Sequence, residues 1–464
     1  LSTYLAIDIG ASSGRHILGS LVDGKITLSE IHRFKNGFTK KNGFLCWDIE
    51  TLFAEVLTGI AKCKEIGKIP VSLGINTWGV DFVLVDKNGQ LLGDAVSYRD
   101  SRTDGMDEIL SGIISEQDLY HRTGIQKMIF NTVYQFMALQ KYQPELLEAA
   151  AGFLMIPSYL SYLLTGERQH EYTISSTTAL VNSKSKAWDF ELIKKIGLPE
   201  KFFGEIKPPG TNVGNFLPEI KQRLGFGAEV ILPCTHDTAC AVVSAPIDEK
   251  SIFLSSGTWS IIGVELTEPI CTEASRQSNL ANEGGYQYRF RYLKNIMGLW
   301  IIQSIKKDYN DEYSFSDLAD YAAKSSDFPS VFDVNEHRFL APENMEAEIK
   351  AALKESGQQV PDNIGELIFC VYHSLAVSYA KTVVEIETIT GKIYDKICIV
   401  GGGSQDGYLN ELTAKICKKK VTAGPVEGTA LGNILVQMIS AGTVAGLLEA
   451  RELVKKSFVI NEYV

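Results

Sequence analysis

The sequence predicts an α/β fold with partly parallel sheets, in two similarly built halves that face a shared ligand. Strand-like and helix-like apolar patterns alternate along the chain, the order expected where helices connect parallel strands. A strand, a Gly/Ser-rich turn and a second strand occur twice, about 245 residues apart. The hydrophobic share, 45% of 464 residues, is enough for two or three packed domains.

Taken in order, the first hairpin joins 3–8 to 16–21 through Gly10-Ala-Ser-Ser-Gly-Arg15. Successive backbone N–H groups exposed in such a turn form a concavity that suits an anion, and a plain hairpin turn uses the same residues. Helical spacing follows over 49–65, 131–140 and 144–151, with strand patterns at 71–76, 82–85 and 229–232. Thr235-His-Asp-Thr-Ala239 leads into a helix over 238–243 that Asp237 can cap. The boundary between the halves is expected at Ala245-Pro246-Ile247-Asp248, giving domains 1–245 and 246–464. The second hairpin joins 252–255 to 260–266, and 286–292 reads as a packed aromatic strand. Helices are expected at 298–307, 364–390 and 428–441, with strands at 396–400 and 420–423. A last helix over 447–456 can return to pack on the first half.

Composition excludes several functions. The net charge is −11 and the densest basic run is Lys418-Lys419-Lys420, so neither nucleic acid nor an anionic membrane is an expected partner. The longest apolar stretches run to about ten residues, against the ~20 of a membrane helix. The segment Leu1-Ser-Thr-Tyr-Leu-Ala-Ile-Asp8 has no basic leader. A cytoplasmic location without a signal peptide is expected, and Leu1 in place of Met suggests an incomplete or processed start. Eight cysteines without CxxC spacing read as buried thiols in a reducing compartment, with neither a zinc site nor a disulfide framework.

Four segments carry chemistry. Asp8 ends a strand beside the first turn; a carboxylate next to a phosphate-suited turn makes sense with Mg²⁺ between them, and Arg15 can pair with a phosphate oxygen. Leu254-Ser-Ser-Gly-Thr-Trp-Ser260 places hydroxyls at 255, 256, 258 and 260, which suits a terminal phosphate or a simple Ser-rich loop. In Ile397-Cys-Ile-Val-Gly-Gly-Gly-Ser404 the glycines let backbone approach a flat or anionic ligand. A tight turn would need only one of them, and the pattern is not GxGxxG. Asp237 can take the proton of an acceptor hydroxyl as general base, a role compatible with capping. His236 by itself reads as a structural hydrogen-bonder. Thr77-Trp-Gly-Val-Asp81, Tyr98-Arg-Asp-Ser-Arg102, Asn282-Glu-Gly-Gly285 and Lys294-Asn-Ile-Met-Gly-Leu-Trp300 mix polar groups with aromatics or glycine. A polyhydroxylated ligand needs that mixture, and so do turns and core aromatics.

In this order the segments resemble the FGGY carbohydrate kinase family of the actin/hexokinase/Hsp70 superfamily. The resemblance rests on these motifs together with Glu30-Ile-His-Arg-Phe34, Leu293-Lys-Asn-Ile-Met-Gly-Leu-Trp300 and Val400-Gly-Gly-Gly-Ser-Gln405, and it spans residues 8 to about 405. It implies two actin/hexokinase-like (ribonuclease H-like) domains around a central cleft. It also implies ATP and Mg²⁺ as cofactors and a small-molecule sugar as partner. Ala11, Ser12, Ser13, Gly14, Arg15 and Thr258 would contact ATP phosphates, with Gln303, Gly401 and Gly402 on the nucleotide side and Asp8 near the metal. Gly79, His236, Asp237, Thr238 and Asn295 would hold the sugar, with Asp237 as the base. Polyol kinases of the family carry Arg-Glu where this chain has Gly79-Val80, which favours a bulkier ketose over glycerol. The expected reaction is phosphorylation of the 1-hydroxyl of L-rhamnulose, with L-fuculose or L-xylulose as alternative acceptors. A non-catalytic sugar sensor on the same fold is the rival, which a retained Asp237 argues against. Two positions depart from the family pattern: Asp406 stands in place of Asn, and Ser158 in place of Asp.

Overall fold

The structure is a computed structural model that describes residues 2–464; Leu1 lies outside the described residues. It forms two compact units. Unit 1 holds 2–244, Glu265–Tyr292 and Gly428–Ser457; unit 2 holds Ala245–Val264, Leu293–Glu427 and Phe458–Val464. A single boundary after residue 245 therefore leaves two segments of unit 1 on the far side, among them the helix Leu447–Ser457.

Unit 1 is built on a six-stranded sheet in the spatial order Asn212–Asn215, Glu229–Ile231, Ser72–Thr77, Thr3–Ile9, Ser13–Val22, Lys25–Lys35. Thr3–Ile9 pairs antiparallel with Ser13–Val22 and parallel with Ser72–Thr77. It lies at the centre with both faces covered, and Leu5, Ala6, Ile7 and Ile9 are fully buried. That is why the strand reads as a continuous apolar run. The helix Ile49–Glu65 covers one face. Asp48 caps it by accepting from the Thr51 N–H at 3.0 Å, Lys62 and Lys64 sit in its last turn, and Leu52, Val56, Ile60 and Cys63 form its buried stripe. The helices Asp237–Ser244 and Gly428–Ser440 pack together so closely that a Cβ on Gly432 would lie 1.8 Å from the Cys240 carbonyl oxygen. Buried amides extend the same helix to the sheet: Asn433 Nδ2 donates to Asn76 Oδ1 at 2.7 Å and Gln437 Nε2 to the Leu5 carbonyl at 3.0 Å.

Unit 2 repeats the hairpin. Ser251–Ser256 pairs antiparallel with Trp259–Leu266 and parallel with Lys396–Val400, which pairs parallel with Lys420–Ala423. Its longest helix, Ile364–Thr390, has 27 residues and is long and apolar enough to cross a membrane. Two-thirds of its apolar window is buried inside the protein, as in a core helix. The aromatic stretch 286–292 is only partly strand: a 3-10 turn covers Tyr286–Tyr288, and the strand Phe290–Met297 begins after it. All eight thiols are free and six are buried.

Candidate active site

In unit 1 the carboxyl ends of the parallel strands bring the expected acidic residues together, the usual ligand position in open α/β sheets. Asp8 is next to last in Thr3–Ile9 and faces Arg15 across the hairpin and Asn76 across the parallel pair. Its Oδ2 accepts from Arg15 at 3.0 Å and its Oδ1 from Asn76 Nδ2 at 2.8 Å. Arg15 is thus already paired with a carboxylate. In the turn between the strands, Gly10 donates its N–H to the Ser13 carbonyl at 2.9 Å. Among the described residues, the N–H groups of Ala11 and Ser12 have no acceptor, as an anion-binding turn requires.

His236 bridges to Thr77 at the end of the next parallel strand, and Asp237 opens the following helix. Asp237 is itself the first residue of the helix and not the cap before it: its Oδ1 accepts from the N–H of the next residue, Thr238, at 2.6 Å and from the Thr238 hydroxyl at 3.1 Å, a contact within the first turn that leaves the second oxygen available. Burial of the carboxyl, reinforced by the charge of Asp8, pushes the Asp237 pKa up to about 7. The side chain still keeps 30% exposure, so a ligand can reach it. A Cβ on Gly79 would stand 3.2 Å from His236 Nε2 and 3.4 Å from Thr177. Glycine there leaves room in front of the imidazole.

Two groups beneath the site have no local motif. Arg291, fully buried, donates from Nη2 to His236 Nδ1 at 3.0 Å and lies 3.0 Å from Glu283 Oε2. Glu171, also fully buried, accepts from the N–H groups of Thr173, Ile174 and Thr235 at 2.8, 3.2 and 3.2 Å, and from both threonine hydroxyls. It anchors the residue before His236. Burial raises its pKa despite these donors.

Other candidates prove structural. Asp81 Oδ2 accepts from the indoles of Trp47 and Trp78 at 2.7 and 2.9 Å and from the Tyr98 N–H at 3.1 Å. Asn282 ties Ile270 and Gly124 together through its amide. Ser158 is buried in the helix Ile156–Thr165.

Unit 2 contains a cavity of about 460 Å³ lined by Gly257, Leu299, Ile302, Gln303, Phe315, Gly402, Gly403 and Asp406, among others. Apolar side chains and glycine backbone with a few polar groups suit a flat heterocycle. The glycine triplet divides its work. Gly401 has φ +89°, and a Cβ there would meet the Ser256 carbonyl oxygen at 2.9 Å; one on Gly403 would overlap Ser256 Oγ at 2.0 Å. Gly402 alone has nothing within 4 Å, so a side chain there would enter open cavity. Asp406 lines the cavity, but its Oδ2 accepts from the Tyr372 hydroxyl at 2.5 Å and its Oδ1 from the Leu409 N–H at 3.0 Å. Burial pushes its pKa up. Thr258 and Gly401 lie in the turns beside Gly257 and Gly402 and do not line this cavity. Asn295, half-buried in Phe290–Met297, belongs to unit 2, apart by unit from Gly79, His236, Asp237 and Thr238.

The set also accommodates a divalent cation. Asp8 offers hard oxygen donors, and a cation there would relieve the repulsion felt by Asp237. Among the described residues no cluster of three or more His, Cys, Asp or Glu forms a metal cage, so further ligands would come from water and phosphate.

The profile of the FGGY family of carbohydrate kinases matches its N-terminal domain to residues 3–244 and its C-terminal domain to residues 252–441. The chain belongs to that family. Over 459 residues it is 50% identical to a rhamnulokinase of Oceanobacillus iheyensis, covering 99% of this chain and 97% of that one. Over 461 residues it is 49% identical to a rhamnulokinase of Halalkalibacterium halodurans, covering 99% and 98%. In fold it is similar to the gluconate kinase of Lactobacillus acidophilus, with a TM-score of 0.81 at 16% identity over 100% of this chain and 93% of that one. It is likewise similar to the ligand-bound xylulose kinase of the same organism, with a TM-score of 0.81 at 15% identity over 100% and 94%.

Proposed function

We propose that this chain transfers the γ-phosphoryl group of ATP to the 1-hydroxyl of L-rhamnulose. The observation that carries the chemistry is Asp237, a carboxylate that opens its helix 3.5 Å from His236 Nε2 and keeps 30% side-chain exposure, with its pKa pushed up to about 7 by burial. The choice of sugar is supported by full-length likeness to two rhamnulokinases at 49–50% identity. Asp237 takes the proton of O1 as O1 attacks the γ-phosphorus. The bond from that phosphorus to its bridging oxygen breaks, ADP leaves with the electron pair, and L-rhamnulose 1-phosphate forms. A base whose pKa lies near the working pH is well matched to such a transfer.

In this reading Gly79, His236, Thr238 and Asn295 hold the sugar. Residues 11–15 and Thr258 hold phosphates, and Gln303, Gly401 and Gly402 serve the nucleotide. Asp8 would hold Mg²⁺, which when bound neutralises charge on the β- and γ-phosphate oxygens. Coupled ADP release with a panel of ketoses tests the reading. L-Rhamnulose should give the highest kcat/KM, with the phosphate on O1. Preference for L-fuculose or L-xylulose, or no turnover of any ketose, would refute it.

A further inference from the structure

We propose that Arg291 is a positioning residue for the acceptor site, holding His236 as a neutral imidazole with its proton on Nε2, the nitrogen that faces Gly79 and Asp237. The proposal rests on the reading of His236 as a sugar-binding residue. A guanidinium can only donate hydrogen bonds. Because Arg291 Nη2 donates to His236 Nδ1 at 3.0 Å, Nδ1 must present its lone pair, and the ring's one proton must sit on Nε2.

The guanidinium cannot swing aside. It has no exposure, its Nε donates to the Gly284 carbonyl at 2.9 Å, and Nη2 also meets Glu283 Oε2 at 3.0 Å. Glu283 by itself would have the opposite effect. Its Oε2 is 3.4 Å from His236 Nδ1, where a carboxylate would favour a charged imidazolium. Arg291 stands against both and removes that option.

The other face of the ring is where this matters. Nε2 lies 3.5 Å from Asp237 Oδ1, and the missing side chain of Gly79 leaves space beside it. A neutral Nε2–H there can donate to a sugar oxygen. An imidazolium would instead pair with Asp237 and weaken it as a base. The charged groups facing the ring are Arg291 and Glu283 from the neighbouring strands and Asp237 from its own segment. Thr173 and Thr177 bring only hydroxyls, and the Thr173 hydroxyl accepts from the His236 backbone N–H at 3.3 Å. Burial and then the charge of Arg291 both push the His236 pKa well below its ordinary value.

The test is ¹⁵N NMR of the full chain labelled at histidine, from pH 5.5 to 8.5, with the His236 signals identified by their loss in His236→Gln. The expected result is a pH-independent pair, Nε2 protonated and Nδ1 bare. Titration near pH 6.5, or a proton on Nδ1, would overturn the proposal, whichever sugar is phosphorylated. Arg291→Met should raise the ketose KM about tenfold at pH 8 and further at pH 6, leave the ATP KM unchanged, and make His236 titrate. Arg291→Lys should recover part of the loss. Folded variants with an unchanged ketose KM and pH profile would also overturn it. If the variants do not fold, the wild-type spectrum decides alone.

Discussion

Asp237 is held between two demands, since the burial that makes it a competent base also makes its charge costly. Asp237→Asn should lower the rate of transfer about 10²–10⁴-fold with little change in nucleotide affinity, as measured by ADP release and calorimetry. Its pKa of about 7 also sets a direction. The base must be ionised, so kcat/KM for the ketose should rise with pH through about 7 and level off above it. Stability should run the other way. A carboxyl whose folded pKa exceeds its unfolded value favours the fold most below about pH 4, and that contribution is lost as pH climbs through 7. Thermal melts should therefore show Asp237→Asn above wild type at pH 8, with the gap closing towards pH 4. Asp237 and His236 were legible because five adjacent residues carry them. Arg291 was not, because only the tertiary fold brings it to His236 across 54 intervening residues. Glu171 was hidden for the same reason: it caps a five-residue helix while also holding Thr235, 64 positions away.

Between elements, the decisive contacts are backbone against backbone, and these leave the faintest trace in a sequence. Gly432 looks like any residue of an apolar helix until the Cys240 carbonyl is found where its side chain would be. Gly432→Ala must push two helices apart and should cost about 3 kcal/mol, the upper end for overpacking, read as a lowered urea midpoint. Glu171→Ala strips three buried N–H groups of their acceptor and should cost about 3 kcal/mol or more by the same measurement. Gly402→Val is the contrast. Nothing stands within 4 Å of its Cβ, so the melt should be unchanged while ATP affinity falls and ketose affinity does not. Equal loss of both would point to a folding defect. The triplet at 401–403 was legible as unusual, and the structure gives Gly401 and Gly403 a steric reason each, while Gly402 borders open space. Both hairpins were legible from their Gly/Ser turns. The segment 286–292 was misjudged as continuous strand because aromatic content mimics a packed strand. Gln287 and Tyr288 instead adopt left-handed φ values of 56°, which no alternation pattern announces.

At the scale of the whole molecule, the chain enters unit 1 three times. A cut after residue 245 looks natural on the sequence, where Ala245-Pro246 interrupts the pattern. The resulting fragment would lack Arg291, Asn433, Gln437 and the partner helix of Asp237–Ser244. It should therefore be expanded, with weak near-ultraviolet circular dichroism and strong dye binding, where unit 1 of the intact chain is compact. Cooperative melting of the fragment near the full chain's temperature would contradict this. The same threading has a consequence during synthesis. When Ser244 leaves the ribosome, its sheet is complete, but the helix that covers it, Gly428–Ser440, is still about 180 residues away. At roughly 5–20 residues per second that is a wait of some 10–40 seconds. For that interval the nascent chain carries an uncovered apolar face, which only a chaperone or the arrival of Gly428–Ser440 can shield.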